Sequence, residues 1–434
     1  MTEALKREIV KYYKAHFQAK EFIPGQSPVP VSGKVFDEKE ILRAIEAVLD
    51  GHWTEGRFTD AFENRISEFL GVNHSVVVNS GSSANLLALS ALKSPKLGEK
   101  KLKVEDEVIA VAAAFPSTVN PIIQNGLTPV FVDIELGSYN VDVRQIEKAI
   151  GPKTRAIMLA HTLGNPFNLD AVLELCVQNN LWLIEDNCDA LGSKYNDKHT
   201  GTFGHISTSS FYPAHHITMG EGGAVFTNDG LLSKIIRSLR DWGRDCWCKT
   251  GKDNTCEKRF GWQLGELPFG YDHKYIYSEV GYNLKSTDIQ AALGLAQLEK
   301  LDYFIQKRKE NFKFLYDYLK KYERYFILPK WEEKSEPSWF GFLLTVKKDA
   351  PFDRARLVEF LQKKNIATRY LFAGNLLKQP YFIDNKIEYR VAGELKNTDL
   401  VMRNTFWFGC YPGLRQEMLE YVVKSFDEFI MIAL

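Results

Sequence analysis

Three short segments hold side chains suited to anion binding or proton transfer. In SVVVNSGSSANLLALSAL, Ser80, Gly81, Ser82 and Ser83 fall between a β-rich run and a helical one. A strand–Gly/Ser turn–helix offers free backbone N–H groups, hydroxyls and the positive end of a helix dipole to an anion such as a phosphate. A plain capping turn would use the same residues. In LWLIEDNCDALG, Glu185, Asp186 and Asp189 close a strand that reads as buried. Carboxylates there are costly unless paired or put to chemical use, and a turn or helix cap is the simpler role. In SFYPAHHITMGEGGAVF, Ser210 and the adjacent His215 and His216 precede a glycine turn. Histidines so placed serve as a base, a metal site or solvent-facing loop residues.

The cysteines form a fourth constellation. Cys188 lies two residues beyond Asp186, while Cys246, Cys248 and Cys256 fall within eleven positions of polar sequence, giving C-x57-C-x-C-x7-C. Four cysteines close a 2Fe–2S or a zinc site. The C-x-C pair departs from the usual C-x2-C zinc knuckle, yet spacing alone leaves the metal open. Cys176, on an amphipathic segment, and Cys410, in a β run, read as buried apolar residues.

The elements that must position these groups alternate along the chain. From residue 75 to about 230 the runs SVVVN, DEVIAVA, TPVFVDI, TRAIMLA, LWLIED, TSSFY and GGAVFT are interleaved with amphipathic segments such as STVNPIIQNG, VDVRQIEKAI and LDAVLELCVQNN. That pattern predicts a wound α/β domain with a mainly parallel sheet. Before it, residues 1–35 read as a charged helix and a Pro/Gly-bearing arm; the large domain spans 36–300. The stretch 243–278, polar and rich in Gly, Lys and aromatics, reads as an insertion. A long helical pattern over 285–322 leads into a small α/β C-terminal domain, 301–434, with strands at WFGFLLTV and NTFWFG.

Composition excludes several classes. The 55 acidic and 55 basic side chains cancel, leaving no electrostatic footprint for nucleic acid or an anionic membrane. No apolar run approaches the ~18 residues that span a bilayer. The start, MTEALKREIVKYYKAH, lacks the apolar centre of a secretory signal. A cytoplasmic protein with reduced thiols is expected, so its cysteines serve as metal ligands, reactive groups or buried apolar residues.

Taken in order and spacing, the three polar segments resemble the DegT/StrS-type sugar aminotransferase family, from about Gln26 to the C-terminus. The resemblance implies the type I fold of PLP-dependent transferases, that of aspartate aminotransferase. It implies that Gly81, Ser82 and Ser83 of NSGSSAN and Ser210 hold the cofactor phosphate and that Phe115 of AAFPSTVNP stacks on the pyridine ring. Asp186 would pair with the protonated pyridine nitrogen and keep the ring an electron sink. Asn283, in GYNLKSTDIQAALG, would reach the phosphate of a neighbouring subunit, which makes a homodimer the working unit.

One departure redirects the expected chemistry. Family aminotransferases carry S-F-x-x-x-K, and the lysine's position falls here on His215. An imidazole forms no Schiff base, so the cofactor is expected as the amine, pyridoxamine phosphate (PMP). Histidine still suits proton transfer near neutral pH. Lysine-to-histidine members of the family are sugar 3-dehydratases, in which the histidine takes a proton from the cofactor's aminomethyl carbon and the 3-hydroxyl leaves. His216 is the rival for that role. Lys194 and Lys198 lie at the wrong offset to replace the lysine, and Arg57 and Arg403 stand as diphosphate contacts or surface residues.

The cysteine pattern matches the iron–sulfur branch of that family, the CDP-6-deoxy-4-keto-hexose 3-dehydrases of 3,6-dideoxysugar biosynthesis. It implies a 2Fe–2S cluster on Cys188, Cys246, Cys248 and Cys256, a CDP-4-keto-6-deoxy sugar substrate and a separate NADH-dependent flavin/iron–sulfur reductase. A cluster-free PMP dehydratase, with zinc or no metal, is the alternative; a non-catalytic sugar-nucleotide binder is a third. If the strand through Asp186 continues to Cys188, both side chains share a face about 7 Å apart, which would place the cluster by the ring.

Overall fold

The β-rich runs become neighbours in one sheet. The computed structural model describes residues 1–18, 20–248 and 250–434. Its large sheet has eight strands in the order His74–Val78, Gly223–Thr227, Ile206–Ser210, Trp182–Asp186, Thr154–Ala160, Glu107–Val111, Thr128–Val132 and Arg390–Val391. From Ile206–Ser210 outward to Arg390–Val391 every pairing is parallel; Gly223–Thr227 alone runs against its two neighbours. Val76–Val78, Val108, Ile109 and Ile184 are fully shielded from solvent. Such continuous apolar strands fit a sheet covered by helices on both faces.

One consequence of this topology sets the site. His74–Val78, Ile206–Ser210, Trp182–Asp186 and Glu107–Val111 all point the same way, so the segments that follow them emerge along one edge. Ligands of open α/β sheets gather at that carboxyl edge.

The second sheet, Phe326–Ile327, Gly341–Val346, Thr405–Gly409 and Thr368–Tyr370, is antiparallel throughout. Its core is aromatic: Phe312 lies parallel to Trp339 with centroids 3.7 Å apart. Phe22 and Val29 of the N-terminal arm are buried in this same core, and Val29 bridges Ile366.

Three readings of the sequence are corrected. The helical pattern over 285–322 is two helices, Asp288–Leu298 and Leu301–Leu319. No Gly or Pro marks the break, which falls at Glu299 and Lys300; there the Lys300 ammonium pairs with Asp37 and Glu40 at 2.9 and 2.6 Å. The residues from Leu376 to Val391 fall within the stretch read as a small domain, yet they return to the large sheet. There Arg390 supplies an edge strand and pairs with Glu107 at 2.6 Å. Finally, the Asp186 strand stops at Asp186. Cys188 sits in the following turn, its N–H donating to Asp186 Oδ1 at 3.2 Å, so the two do not share a strand face.

Glu185 proves structural. Fully buried, it accepts hydrogen bonds from the backbone N–H groups of Gly201, Phe203 and Gly204 at 2.6–2.8 Å and contacts His161 Nε2 at 3.0 Å. Burial alone would raise its pKa, but His161 and these N–H groups outweigh it and hold the carboxyl below its ordinary 4.5. Its stabilisation is therefore present above the unfolded value and is lost as pH falls through the lower folded one. Glu185→Ala leaves the N–H groups and His161 without an acceptor. It should cost about 3–5 kcal/mol, read as a lower urea midpoint at unchanged slope.

Candidate active site

Ser80 caps the helix Gly81–Ala91: its Oγ accepts from Ser83 N–H at 3.1 Å and donates to Ser83 Oγ at 3.0 Å. Capping and anion binding thus coexist, because the N–H groups of the first turn have no helical partners. The turn lies hard against Ser210, the last residue of its strand. A Cβ on Gly81 would stand 2.4 Å from that of Ser210, and one on Gly223 would stand 2.4 Å from the Ser80 carbonyl oxygen. Glycine is needed at both places for close backbone approach. Ser82 is exposed at the mouth, Ser83 half-buried and Ser210 buried.

Asp186 is 5% exposed. Its Oδ2 accepts from Asn85 Nδ2 at 2.8 Å and Thr118 Oγ1 at 2.7 Å, and its Oδ1 from the Cys188 N–H. Asn85 is itself fixed by Thr208, whose hydroxyl donates to Asn85 Oδ1 at 2.6 Å. These neutral donors fix the carboxylate and leave it lone pairs for a cationic partner. Phe115 precedes the helix Pro116–Gln124 and leaves a ring 53% exposed, unusual for phenylalanine unless something covers it.

His215 lies beyond Ser210 in the same loop. Its Nε2 faces Asp189 Oδ1 at 3.4 Å, and its buried Nδ1 has no partner among the described residues. One ring nitrogen meets an anion while the other is uncommitted, the asymmetry a proton-transfer histidine needs. Phe340 packs against the ring, centroids 5.2 Å apart. Arg308 braces the loop from below: buried in a helix, it donates to the carbonyls of His215, Trp339 and Phe340 at 3.1–3.3 Å. Burial pushes its pKa down to about 10, so it stays cationic at neutral pH. His216 is a satisfied core residue, buried with Nε2 2.7 Å from the Ser338 carbonyl, and desolvation holds its pKa well below the ordinary range.

Predicted residues Gly81, Ser82, Ser83, Phe115, Asp186, Ser210 and His215 therefore share one edge. Asn283 does not join them through its side chain: it is exposed, and its Oδ1 accepts from Lys285 Nζ at 3.0 Å. Arg57 is taken up by Asp50 and Glu46, and Lys194 and Lys198 lie in a small separate sheet. Missed in the sequence were Asn85 and Thr118, which hold Asp186, and Arg308, which reads as one more surface charge in QKRKEN. The only signal for Asn85 was a polar residue on the buried face of the helix after the glycine turn.

The cysteines divide. The sulfurs of Cys246, Cys248 and Cys256 lie within 4.8 Å of one another. Burial opposes ionisation of Cys248, but hydrogen bonds from Thr255, Cys246 and Cys256 outweigh it and bring the thiol down to about 7. His273 Nδ1 stands 3.8 Å from Cys256, and its Nε2 contacts Asp245 at 2.9 Å. Cys188 is not in this group; it stays beside Asp186 and Thr208, where burial and the two nearby aspartates push its thiol well up. The expected four-sulfur set is thus not gathered within one chain. Cys176 and Cys410 are buried, as read from the sequence.

Among the described residues no helix is long and apolar enough to cross a membrane. Known proteins match over almost the whole chain. The lipopolysaccharide biosynthesis protein RfbH of Salmonella typhimurium is 58% identical over 429 residues, 99% of this chain and 98% of that one. The dTDP-4-dehydro-2,6-dideoxy-D-glucose 3-dehydratase of Saccharopolyspora spinosa is 52% identical, over 97% and 90%. Among solved structures, the Escherichia coli GDP-4-keto-6-deoxy-D-mannose-3-dehydratase with bound hydrated PLP superposes with a TM-score of 0.80 at 28% identity, covering 92% of this chain and 98% of that one. The architecture is the type I fold of PLP-dependent transferases. The profile of the DegT/DnrJ/EryC1/StrS aminotransferase family matches residues 35–427, and this chain belongs to that family.

Proposed function

We propose that this protein is a PMP-dependent dehydratase that removes the 3-hydroxyl of a nucleotide-linked 4-keto-6-deoxy sugar, a CDP sugar, in 3,6-dideoxysugar and lipopolysaccharide biosynthesis. The observation that carries this reading is His215, standing where the family lysine stands, beside Asp189 and on the edge that holds Asp186 and Ser210. Relatives named as 3-dehydratases support it.

The residues at the edge fit a phosphorylated pyridine. Ser82, Ser83, Ser210 and the first-turn N–H groups would hold the phosphate, Asp186 the protonated ring nitrogen, and Phe115 would cover the ring. Asn283 of a second subunit would add to the phosphate site in a homodimer. When bound, PMP supplies a primary amine for the sugar ketone and a pyridinium that takes up electrons freed by proton loss. His215 moves that proton, oriented by Asp189 and by the Arg308 brace behind its carbonyl.

Replacing C3–OH by C3–H releases water and consumes two electrons and two protons. In our reading Cys188, Cys246, Cys248 and Cys256 would hold a 2Fe–2S cluster, which when bound would supply one-electron transfer from an NADH-dependent flavin/iron–sulfur reductase. The gathered trio supports a metal there. A second reading is favoured by the separation of Cys188 from the trio: a cluster-free dehydratase, with zinc or no metal. There the amine cofactor would itself be oxidised to the aldehyde and need an amino donor to restore it. Anaerobic purification separates the two. Visible charge-transfer bands, matching iron and sulfide and a requirement for reductant support the first. A colourless protein turning over with an amino donor alone supports the second.

A further inference from the structure

Resting on the reading that these cysteines hold a 2Fe–2S cluster, we infer that each cluster is built across two copies of the chain, with Cys188 of one copy completing the Cys246–Cys248–Cys256 trio of the other.

Within one chain the helix Gly81–Ala91 keeps the two parts apart. At its start, Asn85 binds Asp186, which binds the Cys188 N–H. Past its other end, Lys96 pairs with Asp245, next to Cys246, at 3.2 Å, and Ser94 hydrogen-bonds Glu279. From Asn85 to the helix end at Ala91 is about 9 Å at 1.5 Å per residue. Ligand sulfurs lie about 2.3 Å from their metal, a reach shorter than this helix, and Cys188 is outside the group whose sulfurs lie within 4.8 Å of one another. The neck of the insertion is fixed by bridges Asp241–Asn283 and Arg244–Tyr277, and its far part by Thr250 on Glu55.

Both halves are open to a partner. On the insertion, Trp247, Phe269 and Tyr275 are 54%, 73% and 59% exposed, and Val280 beside it is 96% exposed. So much apolar surface on one polar loop marks a face that another molecule covers. At the other half, Phe115 and Tyr212 lie exposed around Asp186 and His215. A two-fold pair sets the insertion of each copy over the open edge of the other and makes two equivalent sites. The cluster then sits beside the neighbour's ring-binding residues. Ligation needs only loss of the thiol protons when ferric iron and sulfide are supplied; no electron is transferred.

The test uses mixed dimers. Full-length Cys188→Ser and Cys256→Ser chains with different tags are co-expressed, and heterodimers are isolated through both tags. After anaerobic reconstitution with ferric iron and sulfide, iron, sulfide and the electron paramagnetic resonance signal of the reduced protein are measured. Each variant homodimer should hold no cluster, and the heterodimer, which keeps one intact site, should recover half the wild-type content. An empty heterodimer, with wild-type dimers loaded, overturns the inference in favour of assembly within one chain. A Cys188→Ser homodimer that keeps its full cluster also overturns it, making a residue such as His273 the fourth ligand. A wild-type protein that binds no iron fails the cluster reading itself, a separate outcome. Should a variant not fold, a short bismaleimide on the apo wild-type decides: a covalent dimer through Cys188 and Cys248 is expected, and its absence overturns the inference.

Discussion

Replacing His215 with asparagine should lower kcat by about 100- to 10,000-fold, the range of a lost general base, while cofactor still binds. The geometry argues for a loss this specific. No predicted phosphate, ring or nitrogen contact passes through the His215 side chain, so Ser83, Ser210, Phe115 and Asp186 keep their places. Asparagine approximates the space beside Phe340 and can still meet Asp189, now 3.4 Å from Nε2, but it cannot take up a proton near neutral pH. Titration with PMP, followed by fluorescence, should give an unchanged Kd, and single-turnover kinetics should place the loss in the proton-transfer step. The matching control is His216→Asn. That side chain is buried against the Ser338 carbonyl, so its replacement should lower stability and spare the chemistry. The opposite pattern would assign the base to His216.

Asp186→Asn is expected to have the second largest effect, about 100- to 1,000-fold in kcat, the magnitude seen when a preorganised charge partner is lost. An amide has one acceptor where the carboxylate has two. Asn85 Nδ2 and Thr118 Oγ1 both donate to Oδ2, and the Cys188 N–H donates to Oδ1. Whichever way the amide turns, an NH2 group faces a donor, at a cost of about 1–3 kcal/mol for a buried unpaired group. The larger loss is chemical, since no anion remains to keep the ring nitrogen protonated. Absorbance of the bound cofactor should shift toward the unprotonated ring in Asp186→Asn and stay unchanged in His215→Asn. Equal spectra in both variants would remove Asp186 from the role given to it.

Much of this site was legible because its parts lie at strand ends, where sequence carries two signals at once. A valine-rich run followed by Ser-Gly-Ser-Ser fixes both the strand and the exposed N–H groups after it, and Asp186 ends a run that has to be buried. What stayed hidden depends on distant partners. Arg308 reads as solvated because its helix is charged, and only its contacts with His215, Trp339 and Phe340 reveal a brace. The helix breaks at Lys300 with no local breaker, at the point where that side chain pairs with Glu40, far away in sequence. Whether the strand reaches Cys188 stays open in the sequence, because periodicity does not show that the Asp186 carboxylate captures the next turn. That point matters most for the cysteines: three gather, and the fourth stands beside Asp186.

The account rests on His215 acting over PMP to remove a sugar hydroxyl, and product mass tests this most directly. Under anaerobic conditions the protein is given PMP, a CDP-4-keto-6-deoxyhexose and a reductant, with the His215→Asn variant alongside. A product lighter than substrate by one oxygen atom, formed by wild type and absent from the variant, is the expected result. An amino sugar, or an unchanged substrate with PMP unbound, would contradict the account, the first by showing a transaminase and the second a binding protein without this chemistry.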